Sequence, residues 1–137
     1  MAQHIRDTIT NMFKQFAGQG GTLVIPRPYI SLCGVDHLAA LLLSQILYWS
    51  DRTDNKNGWF SKSYEEWHEE LGMTEYQIKR AIRGDKRRKN QDGFAGLASI
   101  GVEMQLKPSK HHQGAPTLHY RVDQEKLTDA VVNYVQN

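Results

Sequence analysis

The stretch SYEEWHEELGMTEYQIKRAIRG, residues 63–84, reads as two short helices joined by a tight turn. Ser63 is followed three residues on by Glu66, and Thr74 three residues on by Gln77. Each pair is a capping box: the hydroxyl accepts an orphan backbone N–H at the helix start, and the acidic or amide side chain reaches back to the cap. Gly72 falls where the first helix must stop, because glycine accepts the left-handed backbone there. Helix, three-residue turn, helix is the helix-turn-helix arrangement.

On a wheel over Thr74–Arg87, at about 100° per residue, Ile78, Ala81 and Ile82 share one side. That is the stripe of a buried face, set to lock onto Tyr64, Trp67 and Leu71 of the first helix. Tyr76, Arg80, Arg83 and Arg87 fall opposite, with Lys79 at the margin. A recognition helix needs this division, since it must be held rigidly while it presents long cationic side chains to a groove. Gln77 and Arg80 have the chemistry for paired hydrogen bonds to adenine or guanine edges, each contributing about 1–3 kcal/mol of discrimination. Lys79, Arg83, Arg87 and Arg88 suit phosphates, which position without specifying. Tyr76 suits donation to a phosphate or packing on a sugar. A charged outer face is ordinarily just solvated, so the elements around this one decide its reading. The acidic cluster Glu65, Glu66, Glu69 and Glu70 would repel phosphate if it faced DNA, and is expected to point to solvent.

Upstream, Ala2, Ile5, Ile9, Met12 and Phe16 recur at helical spacing, and Gly18–Gly21 break the pattern. Residues 1–21 are therefore read as an amphipathic helix with a glycine-rich hinge, a candidate dimerisation arm, and residues 22–137 as one further domain. Thr22–Ile30, TLVIPRPYI, is expected to be extended, with Pro26 and Pro28 confining it to an edge strand or an irregular approach. Leu38, Leu41, Leu42, Leu43, Ile46, Leu47 and Trp49 make a helix apolar on nearly all sides, which belongs at a domain centre. Asp51–Gly58 is a polar loop, and Trp59 and Phe60 suit a short strand.

Downstream, Asp85–Gly96 is basic and contains glycine. Leu97–Lys107 alternates loosely, and Thr117–Val122 is a second strand. Two strands around the polar turn Pro108–Pro116 make a hairpin. Its loop carries Lys107, Lys110, His111 and His112, placed to touch DNA backbone or the minor groove. Asp123 suits the cap of a last helix whose Leu127, Ala130, Val131 and Tyr134 share a face. The expected fold is mainly α with a small β-hairpin, a winged helix-turn-helix in which the hairpin loop lies beside the recognition helix.

The totals are compatible with this. A chain of 137 residues suits one domain with a real core. A net charge of +2 permits nucleic-acid binding without demanding it. The single cysteine, Cys33, excludes an internal disulfide and fits a reducing cytoplasm. The N-terminus lacks the apolar core of an export signal. The most apolar run, Val35–Trp49, is shorter than the roughly 20 residues of a membrane span and carries Asp36, His37, Ser44 and Gln45. No membrane association is expected. His111, His112 and His119 come without a cysteine or carboxylate cluster, so no metal is expected. With no phosphate loop, nucleophile elbow or HExxH pattern, neither a cofactor nor an enzymatic activity is expected.

Three runs resemble a known family: ALLLSQILYWSDR (residues 40–52), NGWFSKSYEEWHEELGMTEYQIKRAI (57–82) and TLHYRVD (117–123), with PRPYI (26–30) ahead of them. They are similar to the N-terminal winged-helix domain of phage and plasmid replication initiation proteins of the replisome-organiser type. The resemblance implies a winged helix that binds an origin or another double-stranded site. By it, Thr74–Gly84 takes the recognition role and Pro108–Pro116 the wing role. Family members usually continue into a region that engages helicase loading, an activity not expected of a chain ending at Asn137. They also pass quickly from recognition helix to wing strand, where here Asp85–Gly96 intervenes.

The expectation is thus a non-enzymatic protein of a phage or mobile element that binds double-stranded DNA in replication initiation or transcription control. The alternative is a phage-encoded winged helix that binds and inhibits a protein or nucleoprotein partner, such as a host defence complex. A symmetric homodimer through the N- or C-terminal helix is the expected assembly, and neither helix declares itself.

Overall fold

Turn and cap residues divide the chain into short elements, and the computed structural model describes them over residues 4–17, 23–85 and 94–136. Helix α1 (Ile5–Ala17) is followed by α2 (Arg27–Leu32), α3 (His37–Ser50), β1 (Phe60–Ser61), α4 (Tyr64–Leu71), α5 (Glu75–Arg83), β2 (Val102–Pro108), β3 (Pro116–Val122) and α6 (Gln124–Gln136). The expected hinge at Gly18–Gly21, Arg87 and Arg88, and residues 86–93 of the Asp85–Gly96 segment, lie outside the described residues. The strands form one antiparallel sheet in the order β1-β3-β2. The chain is mainly helical with a small three-stranded sheet, the arrangement compatible with a winged helix-turn-helix.

Both capping boxes are formed. Ser63 accepts from the Glu66 N–H at 3.1 Å while Glu66 Oε1 accepts from the Ser63 N–H at 3.0 Å. Thr74 and Gln77 repeat the exchange at 3.2 and 2.9 Å. Gly72 closes α4 at φ 72, so the turn between the two helices takes the shape that glycine permits.

Helix α3 occupies the centre, with Ala39, Ala40, Leu42, Leu43 and Ile46 buried. Helix α5 lays Ile78, Ala81 and Ile82 into the same core. The helix-turn-helix joins the sheet through three aromatic rings. Trp67 of α4 meets Tyr120 of β3 edge-on at 5.6 Å and Phe60 of β1 at 6.4 Å. Phe60 and Tyr120 are register partners across the ladder and stack at 5.7 Å. Burial pushes the Tyr120 hydroxyl well above its ordinary pKa, with the Trp67 indole acting in the opposite sense. Cys33 is also buried; burial, and then nearby Asp36, push its thiol up to about 12, which leaves it an inert part of the core.

Three segments differ from the sequence expectation. Of the described residues in Thr22–Ile30, 23–26 lie outside a helix and 27–30 open the helix Arg27–Leu32. Pro26 is the N-cap and Pro28 stands in the first turn, where a missing N–H costs nothing and the fixed φ suits a helix. The first residues of Leu97–Lys107 form a 3₁₀ turn, Leu97–Ile100, whose Leu97 and Ile100 are buried; the strand starts at Val102. Helix α5 stops at Arg83, short of Arg87. At Gly84 a Cβ would stand 2.6 Å from the Ala95 carbonyl oxygen, and at Gly96 one would stand 2.4 Å from the Gly84 nitrogen. Two backbones therefore cross in contact there and pin the end of α5 to the start of the 3₁₀ turn.

Truncating Trp67 to Ala should destabilise the fold by about 3–5 kcal/mol, read from urea denaturation midpoints. Thr74→Ala, which removes only a cap, should cost about 1 kcal/mol by the same measurement.

Candidate nucleic-acid interface

Burial of Ile78, Ala81 and Ile82 fixes which way α5 faces. Tyr76 is consequently 67% exposed, and Arg83 is exposed at the last turn. Lys79 and Arg80 stand at the margins of the same face, and each has an acidic neighbour. Lys79 Nζ lies 3.3 Å from Glu75 one turn earlier and 5.7 Å from the centre of the Tyr64 ring. Arg80 Nε lies 3.3 Å from Asp85, just past the helix end. The Lys79–Glu75 pair is solvent-exposed, of the kind that contributes about 0–1 kcal/mol, so a phosphate competes for Lys79 at little cost, whereas the Arg80–Asp85 pair is partly buried. Gln77 is committed to its cap: its Oε1 accepts from the Thr74 N–H. A bidentate contact with adenine would need that same oxygen, which leaves Arg80 as the base-reading candidate on α5. A groove of about 460 Å³ runs beside it, between α5 and the start of α3, lined by Asp36, Leu38, Gln77, Arg80, Asp85 and Phe94.

The hairpin carries the other cations. Its turn is a short 3₁₀ segment, Lys110–His112, closed by Gln113 in the left-handed region at φ 57. Lys110 and His111 are exposed there. His112 points inward instead. Its Nδ1 pairs with Ser109 Oγ at 2.8 Å, and its Nε2 bonds Glu66 of α4. Ser109 Oγ in turn meets Ser61 Oγ of β1 at 3.0 Å. A chain of polar contacts thus ties the hairpin turn to the capping box of the helix-turn-helix. Partial burial works against the charged form of Glu66; hydrogen bonds from the Ser63 backbone and His112 outweigh it and hold the carboxyl below its ordinary pKa. Lys107 also turns away from the loop, with its Nζ 4.1 Å from the centre of the Trp59 ring, which Arg121 approaches at 5.4 Å.

The residues named from sequence therefore divide. Tyr76, Lys79, Arg80 and Arg83 share one helix face, and Lys110 and His111 lie exposed at the hairpin turn. Gln77, Lys107 and His112 are held by Thr74, Trp59 and Glu66 respectively. Arg87 and Arg88 lie outside the described residues.

The expectation that the α4 acidic cluster points to solvent is corrected for half of it. Glu65 and Glu69 are exposed, but Glu66 and Glu70, one turn apart, face the body of the protein. Glu70 takes an N–H from Trp49 at 2.8 Å and pairs with Lys62, whose ammonium sits 4.1 Å from the Trp49 ring centre. Helical spacing alone could have separated the two inward carboxylates from the two outward ones. The partners Lys62 and Trp49 stand in other elements, and no local pattern names them.

Among the described residues no three or more His, Cys, Asp or Glu are grouped to hold a metal ion. No described helix is long and apolar enough to cross a membrane. Compared with protein-family models, with curated proteins and with solved structures, the chain finds no match.

Because the folded Glu66 carboxyl titrates below its unfolded value of about 4.3, its stabilisation is fully present above that pH and is lost as pH falls through the folded value. Glu66→Gln should therefore be less stable than the native protein at pH 6, and the difference should shrink below about pH 4. Urea denaturation of both proteins across that range measures it.

Proposed function

We propose that this chain is a non-enzymatic double-stranded-DNA-binding protein that docks α5 in the major groove and sets the turn at Lys110–His112 against the flanking backbone. The observation that carries the reading is the division of α5. Its apolar stripe is buried against α3 and the 3₁₀ turn Leu97–Ile100, and Tyr76, Lys79, Arg80 and Arg83 are left on a rigidly held outer face. That pairing of a fixed helix with outward cations is what groove recognition requires. In this reading Arg80 exchanges Asp85 for a guanine edge, Lys79 and Arg83 take phosphates, and Tyr76 packs on sugar or donates to phosphate. Lys110 and His111 add contacts from the hairpin turn. The resemblance to winged-helix domains of phage and plasmid initiators supports a role in replication initiation or transcription control of a mobile element.

A second reading has a specific observation in its favour. Both terminal helices expose large apolar side chains, among them Ile5 at 80% and Val135 at 73%. Such faces suit protein contacts, and they keep open a winged helix that inhibits a protein or nucleoprotein partner.

Salt separates the two. About five phosphate contacts give a slope near −4 to −5 for log K against log salt concentration. Native protein titrated with a mixed-sequence duplex should follow that slope, and Arg80→Ala with Arg83→Ala should weaken binding and flatten the slope by about one, the share of the Arg83 phosphate contact. Binding that is absent, or that ignores both salt and these substitutions, would sink the DNA reading.

A further inference from the structure

Between α2 and α3 the chain turns through Gly34 and Val35, both in the left-handed region, at φ 63 and 64. The Val35 N–H donates to the Ile30 carbonyl at 2.8 Å and the Gly34 N–H to the Ser31 carbonyl at 3.1 Å. These bonds close α2 and lead the chain into Asp36, the cap of α3. The left-handed region is ordinary for Gly34. It is strained for Val35, whose β-branched side chain crowds its own backbone there. Glycine or asparagine would make the same backbone bonds with less strain.

The side chain of Val35 contributes little to the fold in return. It is 58% exposed and lies outside both the core and the residues packed against it. Strain that nothing within the chain offsets points to a contact made outside it.

The place of Val35 in the fold indicates that contact. Val35 and Leu38 stand on one wall of the groove beside α5, with Tyr76, Gln77 and Arg80 on the other. Lys79, at the opposite margin of α5, reaches toward Tyr64 of α4, and the hairpin turn is tied to α4 through Glu66. The hairpin turn and Val35 therefore flank α5 from different sides. A helix about 10–12 Å across fills a major groove about 12 Å wide. The two strands bordering that groove then pass over whatever flanks the helix. On the Arg80 side they meet Val35 and Leu38, 58 and 39% exposed.

We propose, on the reading that α5 docks in a DNA duplex, that Val35 is a third point of contact with that duplex. With Leu38 it takes an apolar C–H surface of the strand beside Arg80, supplied by a thymine methyl or by a deoxyribose. The strained turn is thus kept for the side chain it presents.

Two variants test this, Val35→Asn and Val35→Ala. Asparagine tolerates the left-handed region, and alanine removes the branch without adding a hydrogen-bonding group. The urea midpoint of Val35→Asn should rise above the native value, and that of Val35→Ala should not fall. Both should bind a mixed-sequence duplex about three- to tenfold more weakly. Their salt slope should match the native one, since no cation is removed. The same duplex with uracil for thymine lacks the methyl groups. If the methyl is the contact, uracil weakens native protein and leaves the variants as they were. If the sugar is the contact, the gap between native and variants persists with uracil, and either result supports the proposal. Variants that bind as tightly as a native protein that does bind overturn this contact alone. Native protein that fails to bind the duplex overturns the DNA reading and this contact with it. A lowered midpoint for Val35→Asn shows that the valine serves the fold, and also overturns the proposal.

Discussion

The burial of Trp67 between Phe60 and Tyr120 is the contact on which the arrangement of this protein depends. The helix-turn-helix and the sheet are each too small to bury their own apolar faces. Trp67 is the largest side chain that α4 commits to the core, and it meets both strands that pair across the β1–β3 ladder. With α4 fixed to the sheet, the turn at Gly72 sets α5 against α3. The hairpin is then held at a defined distance from α5, because β3 is both the partner of β1 and one arm of the hairpin. Apolar packing thus places the outer face of α5 and the hairpin turn, and their charged residues contribute little to that placement.

A second set of contacts refines the same joint. Glu66 serves the Ser63 cap and His112 together, so the residue that starts α4 also ties down the hairpin turn. One turn further along the same face of α4, Lys62 and Glu70 close against Trp49 of α3. Partly buried ion pairs of this kind offset their own desolvation only when every partner is placed, so their main effect is to select one geometry. The same economy explains the quiet surface of α5, where Lys79 and Arg80 rest on Glu75 and Asp85. The first pair is exposed and weak, and the second is partly buried.

Much of this was legible from local pattern. The two capping boxes, Gly72 and the stripe Ile78, Ala81 and Ile82 fix both helix starts, the end of α4 and the buried face of α5 with no distant partner. The central helix and the hairpin follow from composition in the same way. What local pattern misses is set by tertiary approach. Arg27–Leu32 is helical although two prolines precede or open it, since their first-turn position suits a helix as well as it suits a strand. Helix α5 ends at Arg83 because Gly84 meets Gly96, a crossing between residues twelve apart in sequence. At the candidate interface, the outward direction of Tyr76, Arg80 and Arg83 was readable from the wheel. The engagement of His112 by Glu66 and of Lys107 by Trp59 was not, because each joins segments more than forty residues apart.

The central claim is that the outer face of α5 and the hairpin turn together meet a DNA duplex. Amide chemical shifts of the isotope-labelled protein, followed during titration with a short duplex, address it residue by residue. The account predicts that the changes concentrate at Tyr76, Lys79, Arg80 and Arg83 and at Lys110 and His111, with α1 and the end of α6 unmoved. Changes confined to α1 and α6, or none at saturating duplex, would contradict it.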